Sequence, residues 1–199
     1  RDRAATPCLG TVLASDDEAA VGFMDRKHEA CADLGVPTER VDLAADAPAE
    51  RVYGAVDRLA ADEEVTALFV QVPLPARVDE AAVRERVPPA KDVDCFAPAN
   101  LGRLVAGDPW IRPPTTAAVL HLLAEYDVRT AGRDAVVVGR TTAIGKPLAN
   151  ALLRRGPEGD ATVTVCHTAT RDLGAKTRQA DVLVTAAGTP GLVDAHMHV

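Results

Sequence analysis

Lys27 falls inside a helical pattern four residues after Phe23, so the two side chains share a face and could flank one ligand. The plainer reading of such a lysine is a solvated one. Chemistry is favoured by Gln71, a polar residue set between Leu68-Phe69-Val70 and Val72-Pro73-Leu74 at the end of a strand-like run. A buried glutamine needs a partner, and ligands of open α/β sheets collect at the carboxyl ends of strands. A lysine facing such a site would be partly desolvated and shifted towards its neutral form, able to give or take a proton. Lys91-Asp92-Val93-Asp94-Cys95-Phe96 adds two carboxylates. They could hold a metal, but companion ligands are lacking nearby. One aspartate reading a donor-rich heterocycle is the better functional reading, and a loop cap the plain one.

A second constellation lies in Ala135-Val-Val-Val-Gly-Arg-Thr-Thr-Ala-Ile-Gly-Lys-Pro147. An apolar strand, a turn at Gly139 and a helix start, which Thr141 or Thr142 can cap, form an anion site through free amides and the helix dipole. Lys146-Pro147 sits in the first turn, where proline's missing N–H costs little. The expected guest is a nucleotide phosphate, although the spacing is not G-x-G-x-x-G. In a dinucleotide lobe the second strand normally ends on an acid for the ribose 2′-hydroxyl. Here it ends Cys166-His167-Thr168, with Arg140 and Arg171 close by in sequence or fold. Cations and a hydroxyl in place of the acid suit a 2′-phosphate, so NADP is expected over NAD; a solvated Arg140 is the alternative. The tail His196-x-His198 resembles the metal-binding start of amidohydrolases, which would need a whole barrel after it.

The elements that would position these groups alternate. Strands are expected at Leu9–Ala14, Arg40–Leu43, Thr66–Val72, Ala135–Val138, Ala161–Cys166 and Asp181–Ala186. Helices are expected from Ser15 to about Leu34, with Phe23, Ala30 and Leu34 on the apolar face, then over Pro48–Ala61, Glu80–Arg86, Thr116–Tyr126, after the glycine turn, and near Asp172–Gln179. Pro88 to Pro114 reads as irregular. The order β-α-β-α-β occurs twice, predicting an α/β fold of two parallel-sheet lobes, residues 1–113 and 114–199, with the active cleft between them.

Composition bounds the rest. The 199 residues are 47% apolar and carry a formal charge of −7, which argues against a nucleic-acid surface. No run is apolar enough to span a membrane. Four cysteines without a C-x-x-C pair fit reduced thiols in a cytoplasm. The chain opens without methionine and stops after a strand and a turn, so a fragment of something longer is expected.

With these pieces placed, the chain resembles the bifunctional methylenetetrahydrofolate dehydrogenase/cyclohydrolase family. The matching phrases are Val70-Gln-Val-Pro-Leu-Pro75, Lys91-Asp-Val-Asp94, Asn100-Leu-Gly-Arg-Leu104, Gly139-Arg-Thr-Thr-Ala-Ile-Gly-Lys-Pro147 and Thr162-Val-Thr-Val-Cys-His-Thr168. The resemblance implies an N-terminal folate-binding α/β domain and a C-terminal Rossmann-like NADP domain, each truncated at the chain ends. It implies NADP-dependent oxidation of 5,10-methylenetetrahydrofolate to the methenyl cation and hydrolysis of that cation to 10-formyltetrahydrofolate, in one-carbon metabolism. It makes Lys27 the catalytic lysine, Gln71 its hydrogen-bonding partner and Asp94 the pterin's carboxylate, with Phe23, Val70 and Val72 also on the substrate. Gly139, Arg140, Thr141, Ile144, Gly145 and Thr168 match cofactor-binding positions, and a homodimer is implied. The family usually has tyrosine where Phe23 stands, and glycine and histidine where Cys95 and Ala97 stand; its Pro-Cys-Thr-Pro reads Pro113-Pro-Thr-Thr116. These departures surround the folate side. They motivate an alternative, a relative that binds folate or nucleotide without turnover.

Overall fold

The computed structural model describes residues 7–197, which divide into two compact units at Asn100–Leu101. The first unit carries β1 (Leu9–Ala14), α1 (Glu18–Asp33), β2 (Thr38–Leu43), α2 (Ala49–Ala61), β3 (Ala67–Val70) and α3 (Glu80–Arg86). Its sheet is parallel in the order β2-β1-β3, with Leu9 opposite both Thr38 and Ala67. A further helix, α4 (Pro98–Ala106), contains the division. The second unit continues with α5 (Pro114–Glu125), β4 (Asp134–Val138), α6 (Gly145–Leu153), β5 (Thr162–Cys166), α7 (Leu173–Thr177) and β6 (Val182–Thr185). Its parallel sheet runs β5-β4-β6, the same arrangement as the first. The doubly repeated alternation therefore gives the α/β fold it predicts. No helix of the described residues is long and apolar enough to cross a membrane.

In each unit the first strand lies centrally, and the next two fall on either side of it. The crossovers thus leave in opposite directions, opening a crevice at the carboxyl ends of the central strand and its later neighbour. In the first unit that crevice is bounded by β1 and β3, where Gln71 N–H bonds to the Val12 carbonyl at 2.9 Å. In the second it is bounded by β4 and β6, where Ala186 N–H bonds to the Val138 carbonyl at 2.8 Å. The main core of the first unit packs Val12, Val52, Val56, Leu59, Leu68 and Val83. That of the second packs Leu120, Val137, Leu148 and Leu152 with small residues.

Three sequence expectations change. The buried stripe of α1 is Ala20 and Met24; Phe23 and Ala30 are exposed, and Leu34 is 79% exposed because Gly35 at φ +67° ends the helix there and turns the chain towards β2. The stretch from Pro88 to Pro114 contains α4, whose proline at the first helical position and internal Gly102 disguise the apolar spacing of Leu101, Leu104 and Val105. Finally, Ile144 rather than a threonine stands at the N-cap of α6, and Thr141 Oγ1 accepts the Ile144 N–H at 3.3 Å, closing the turn ahead of the helix.

Candidate active site

The first unit gathers charged groups at its crevice. Asp17 caps α1 by accepting the Ala20 N–H at 2.8 Å, setting the register that carries Phe23 and Lys27 along one edge of the helix. Lys27 Nζ lies 3.4 Å from the centroid of the Phe23 ring and 4.1 Å from that of Phe69. The ammonium is thus placed against two aromatic rings, a favourable electrostatic setting for a cation. Burial lowers its proton affinity below that of an ordinary lysine, with Asp94 pulling the other way and Arg26 adding to the fall. The Asp94 carboxyl is pushed up to about 6, chiefly by burial; Asp92 adds to the rise, while Lys27 and Arg84 oppose it. Lys27 and Asp94 therefore sense one another within a partly dehydrated site, which lowers the proton affinity of the lysine and raises that of the carboxyl.

The loop that carries Asp94 is built by Asp92. Its buried carboxylate accepts the N–H groups of Asp94, Phe96 and Ala97 at 2.9–3.0 Å and the Asn100 amide at 2.8 Å. The two aspartates thus divide the work. Asp92 is a loop cap, and Asp94 is left without a backbone donor to itself among the described hydrogen bonds. Cys95 sits in the left-handed region at φ +54°, where a side chain is disfavoured. Its buried thiol is pushed up to about 12 by burial and the two aspartates, which leaves it inert.

At the end of β3 the Gln71 amide donates to the Val72 carbonyl at 2.6 Å, and its Oε1 is buried without a partner. Among the described residues no hydrogen bond joins Gln71 to Lys27. Val70 is buried, Val72 is half-buried, and the Val72–Pro73 peptide bond is cis. A buried acceptor at the carboxyl end of a strand is an opening for a ligand donor. Phe69 and Arg84 are the contributors that sequence reasoning passes over. One reads as core, and the other as an ordinary charge on a short helix.

The second unit's crevice is made of backbone. Gly139 has φ +143°, and a Cβ there would run into the Ala186 carbonyl oxygen. A Cβ on Gly145 would run into the Gly139 carbonyl oxygen and come 2.8 Å from the Arg140 nitrogen. Only glycines allow the turn to fold back onto the start of α6. Within that first turn the Lys146 N–H is bonded to the Thr141 carbonyl at 3.0 Å, and Pro147 has none. The helix end thus offers fewer free amides than the sequence implies. Arg140 Nη1 lies 3.4 Å from His167 Nε2, while His167 Nδ1 accepts the Ala169 N–H at 3.2 Å. Arg140 and the His167 ring thus stand side by side at the end of β5, and a guanidinium there suits an anion such as a phosphate. Thr141, Thr168 and Arg171 are exposed, and Ile144 is half-buried. No group of three metal-binding side chains occurs among the described residues. His198 of the expected His196-x-His198 pair lies outside them.

Comparison with known proteins agrees with this division. Residues 1–94 match the model of the tetrahydrofolate dehydrogenase/cyclohydrolase catalytic domain, and residues 113–198 that of the family's NAD(P)-binding domain. The second match takes in the histidine tail, which is thereby part of a nucleotide domain rather than the opening of a metal-dependent barrel. The chain is 45% identical over 192 residues to the bifunctional protein FolD of Haloquadratum walsbyi, covering 96% of this chain and 62% of that protein. It superposes on the bifunctional FolD of Campylobacter jejuni with a TM-score of 0.86 at 34% identity, covering 97% of this chain and 67% of the other. It superposes on the Trypanosoma brucei enzyme, solved with NADP cofactor and inhibitor, with a TM-score of 0.85 at 36% identity, covering 94% and 63%. The chain spans 62–66% of the length of the curated relatives it matches. With its two domain matches in order and its fold in common with these enzymes, the chain belongs to the tetrahydrofolate dehydrogenase/cyclohydrolase family.

Proposed function

We propose that the full-length protein oxidises 5,10-methylenetetrahydrofolate with NADP and hydrolyses the resulting 5,10-methenyl cation to 10-formyltetrahydrofolate. The observation that carries this reading is the Lys27 ammonium, held against two rings and electrostatically coupled to a half-buried Asp94 at the crevice of the catalytic domain. Residues 1–113 would form the folate and catalytic part and residues 114–199 the NADP part. The NADP enzyme of Trypanosoma brucei and the neighbouring Arg140 and His167 support the cofactor choice. When bound, NADP accepts the hydride.

The chain's own residues orient the reactants and manage protons. Asp94, as a carboxylate, accepts hydrogen bonds from the pterin's N–H donors, while Gln71 Oε1 takes a further donor and the apolar walls of Val70 and Val72 exclude water. Phe23 lacks a hydroxyl but offers a ring to stack. Hydride transfer needs chiefly this positioning. In hydrolysis, water adds to the methenyl carbon and passes one proton to the neutral amine form of the partly desolvated Lys27, which returns it to the ring nitrogen as the C–N bond opens; the remaining hydroxyl proton leaves to solvent as the formyl carbonyl forms. Gly139, Arg140, Thr141, Ile144, Gly145 and Thr168 hold the nucleotide, with Arg140 and His167 on its 2′-phosphate. The four free thiols support a cytoplasmic location, and family resemblance supports a homodimer.

The full-length protein should reduce NADP on addition of methylenetetrahydrofolate, and Lys27→Met should abolish formation of 10-formyltetrahydrofolate. Absence of nucleotide reduction in the parent protein would sink the reading. Hydrolysis of methenyltetrahydrofolate by Lys27→Met at the parent rate would remove Lys27 from its role.

A further inference from the structure

Arg84 is 7% exposed, an unusual place for a guanidinium. It projects from α3 into the Asp92–Asn100 loop. Its Nη1 donates to the Phe96 carbonyl at 2.9 Å, and its plane lies 4.1 Å over the Phe96 ring. Nε and Nη2 share Glu80 Oε1 at 2.9 Å one turn earlier on the same helix. Burying an arginine costs free energy unless every donor is matched. A carbonyl, a ring face and one half-exposed carboxylate are a modest match. A leucine or methionine would fill the space without that cost, so packing alone does not account for the charge.

The charge has a neighbour to act on. Phe96 is two residues from Asp94, and Asp94 is the half-buried carboxyl at the crevice. We propose that Arg84 is a positioning residue for Asp94: it locks the loop through the Phe96 carbonyl and ring, and stands a permanent cation against the loop from which Asp94 meets the substrate. The groups facing Asp94 are Lys27 from α1, Arg84 from α3, and Asp92 of its own loop. Lys27 and Arg84 favour the anion; burial and Asp92 oppose it. Lys27 cannot serve alone, because a lysine that accepts a proton in the reaction must be neutral for part of it and then gives Asp94 no support. An arginine never deprotonates and supplies a constant field. This role in recognition rests on the folate reading above, but the electrostatic link does not.

The link can be read without turnover. In the full-length protein the Asp94 carboxyl, identified by its loss in Asp94→Asn, is titrated by carbon NMR in the parent, in Arg84→Met and in Arg84→Lys. The midpoint should rise by roughly half to one pH unit in Arg84→Met, as expected on losing a nearby cation, and return most of the way in Arg84→Lys. The acid limb of kcat/KM for methylenetetrahydrofolate should move by the same amount, with Arg84→Met losing activity mostly below neutral pH. An unchanged midpoint in folded Arg84→Met would overturn the inference and leave Arg84 a structural pin. Should that variant not fold, Glu80→Gln removes the half-exposed carboxylate that compensates Arg84, and the midpoint should fall; a midpoint that stays put overturns the inference equally. A parent that turns over without the expected shifts refutes the role of Arg84 alone, whereas a parent that shows the shifts but no turnover refutes the folate reading alone.

Discussion

The two units share a sheet order and place their crevices at equivalent strand ends, yet they fill them with opposite materials. In the first, side chains from three separate segments meet: Lys27 from a helix, Gln71 from a strand end and Asp94 from a loop. In the second, a single turn folds onto itself, and the important atoms are the α-hydrogens of Gly139 and Gly145. A backbone site is nearly fixed by local sequence, since glycine is required wherever a carbonyl occupies the space of a Cβ. A side-chain site is fixed by tertiary packing and can be retuned by a change anywhere in its wall.

That contrast can be broken by variants that separate the two sites. The largest effect is expected for Lys27→Met, which should lower the rate of methenyltetrahydrofolate hydrolysis by about 10²–10⁴-fold while leaving nucleotide affinity intact, measured by rate and by calorimetric titration with NADP. Arg140→Ala should do the converse. Loss of a charge-assisted contact worth about 1.5–3 kcal/mol raises the KM for NADP by roughly 10–100-fold, with methenyltetrahydrofolate hydrolysis, which uses no nucleotide, little changed. Similar damage to both activities in either variant would erase the distinction.

Stability measurements sharpen the comparison further. Asp94 holds its proton more tightly folded than unfolded, so above pH 6 the folded state carries a charge it disfavours, and this penalty fades as the pH falls through about 6 towards the ordinary carboxylate value. Asp94→Asn should therefore raise stability near neutrality by about 1–2 kcal/mol and flatten the slope of stability against pH between 6 and 4, read by urea unfolding. Cys95 tests strain. Cys95→Val, β-branched in the left-handed region, should lose about 1–3 kcal/mol. Cys95→Gly should stay nearer the parent, because relief of φ +54° offsets the lost packing.

Legibility in the sequence follows the same division. The glycine turn, the parallel strands and the absence of an acid after Cys166 could be read directly, because each depends on residues adjacent in the chain. Lys27, Gln71 and Asp94 could be named from their setting and from resemblance. What could not be read is how each is held. Phe69 looks like any core aromatic until Lys27 is seen 4.1 Å from its ring. Arg84 looks like a helix-surface charge until α3 is docked against the Asp92 loop. Asp92 and Asp94 are indistinguishable by type, and only the four hydrogen bonds to Asp92 separate cap from ligand. The helix α4 was hidden by a proline and a glycine that ordinarily break helices.

The thin apolar footing of α1 has a mechanical side. With Ala20 and Met24 its only buried residues, the helix is also gripped through His28, whose two ring nitrogens lie 2.9 Å from the hydroxyls of Thr11 on β1 and Thr38 on β2. Dispersion contacts let surfaces slide by fractions of an ångström, being non-directional, whereas a ring bonded at both ends resists, since hydrogen bonds weaken steeply off axis. The helix is thereby indexed to the sheet like a shaft on a key, and Lys27, one residue away, takes its pitch and azimuth from an imidazole pinned between two strands.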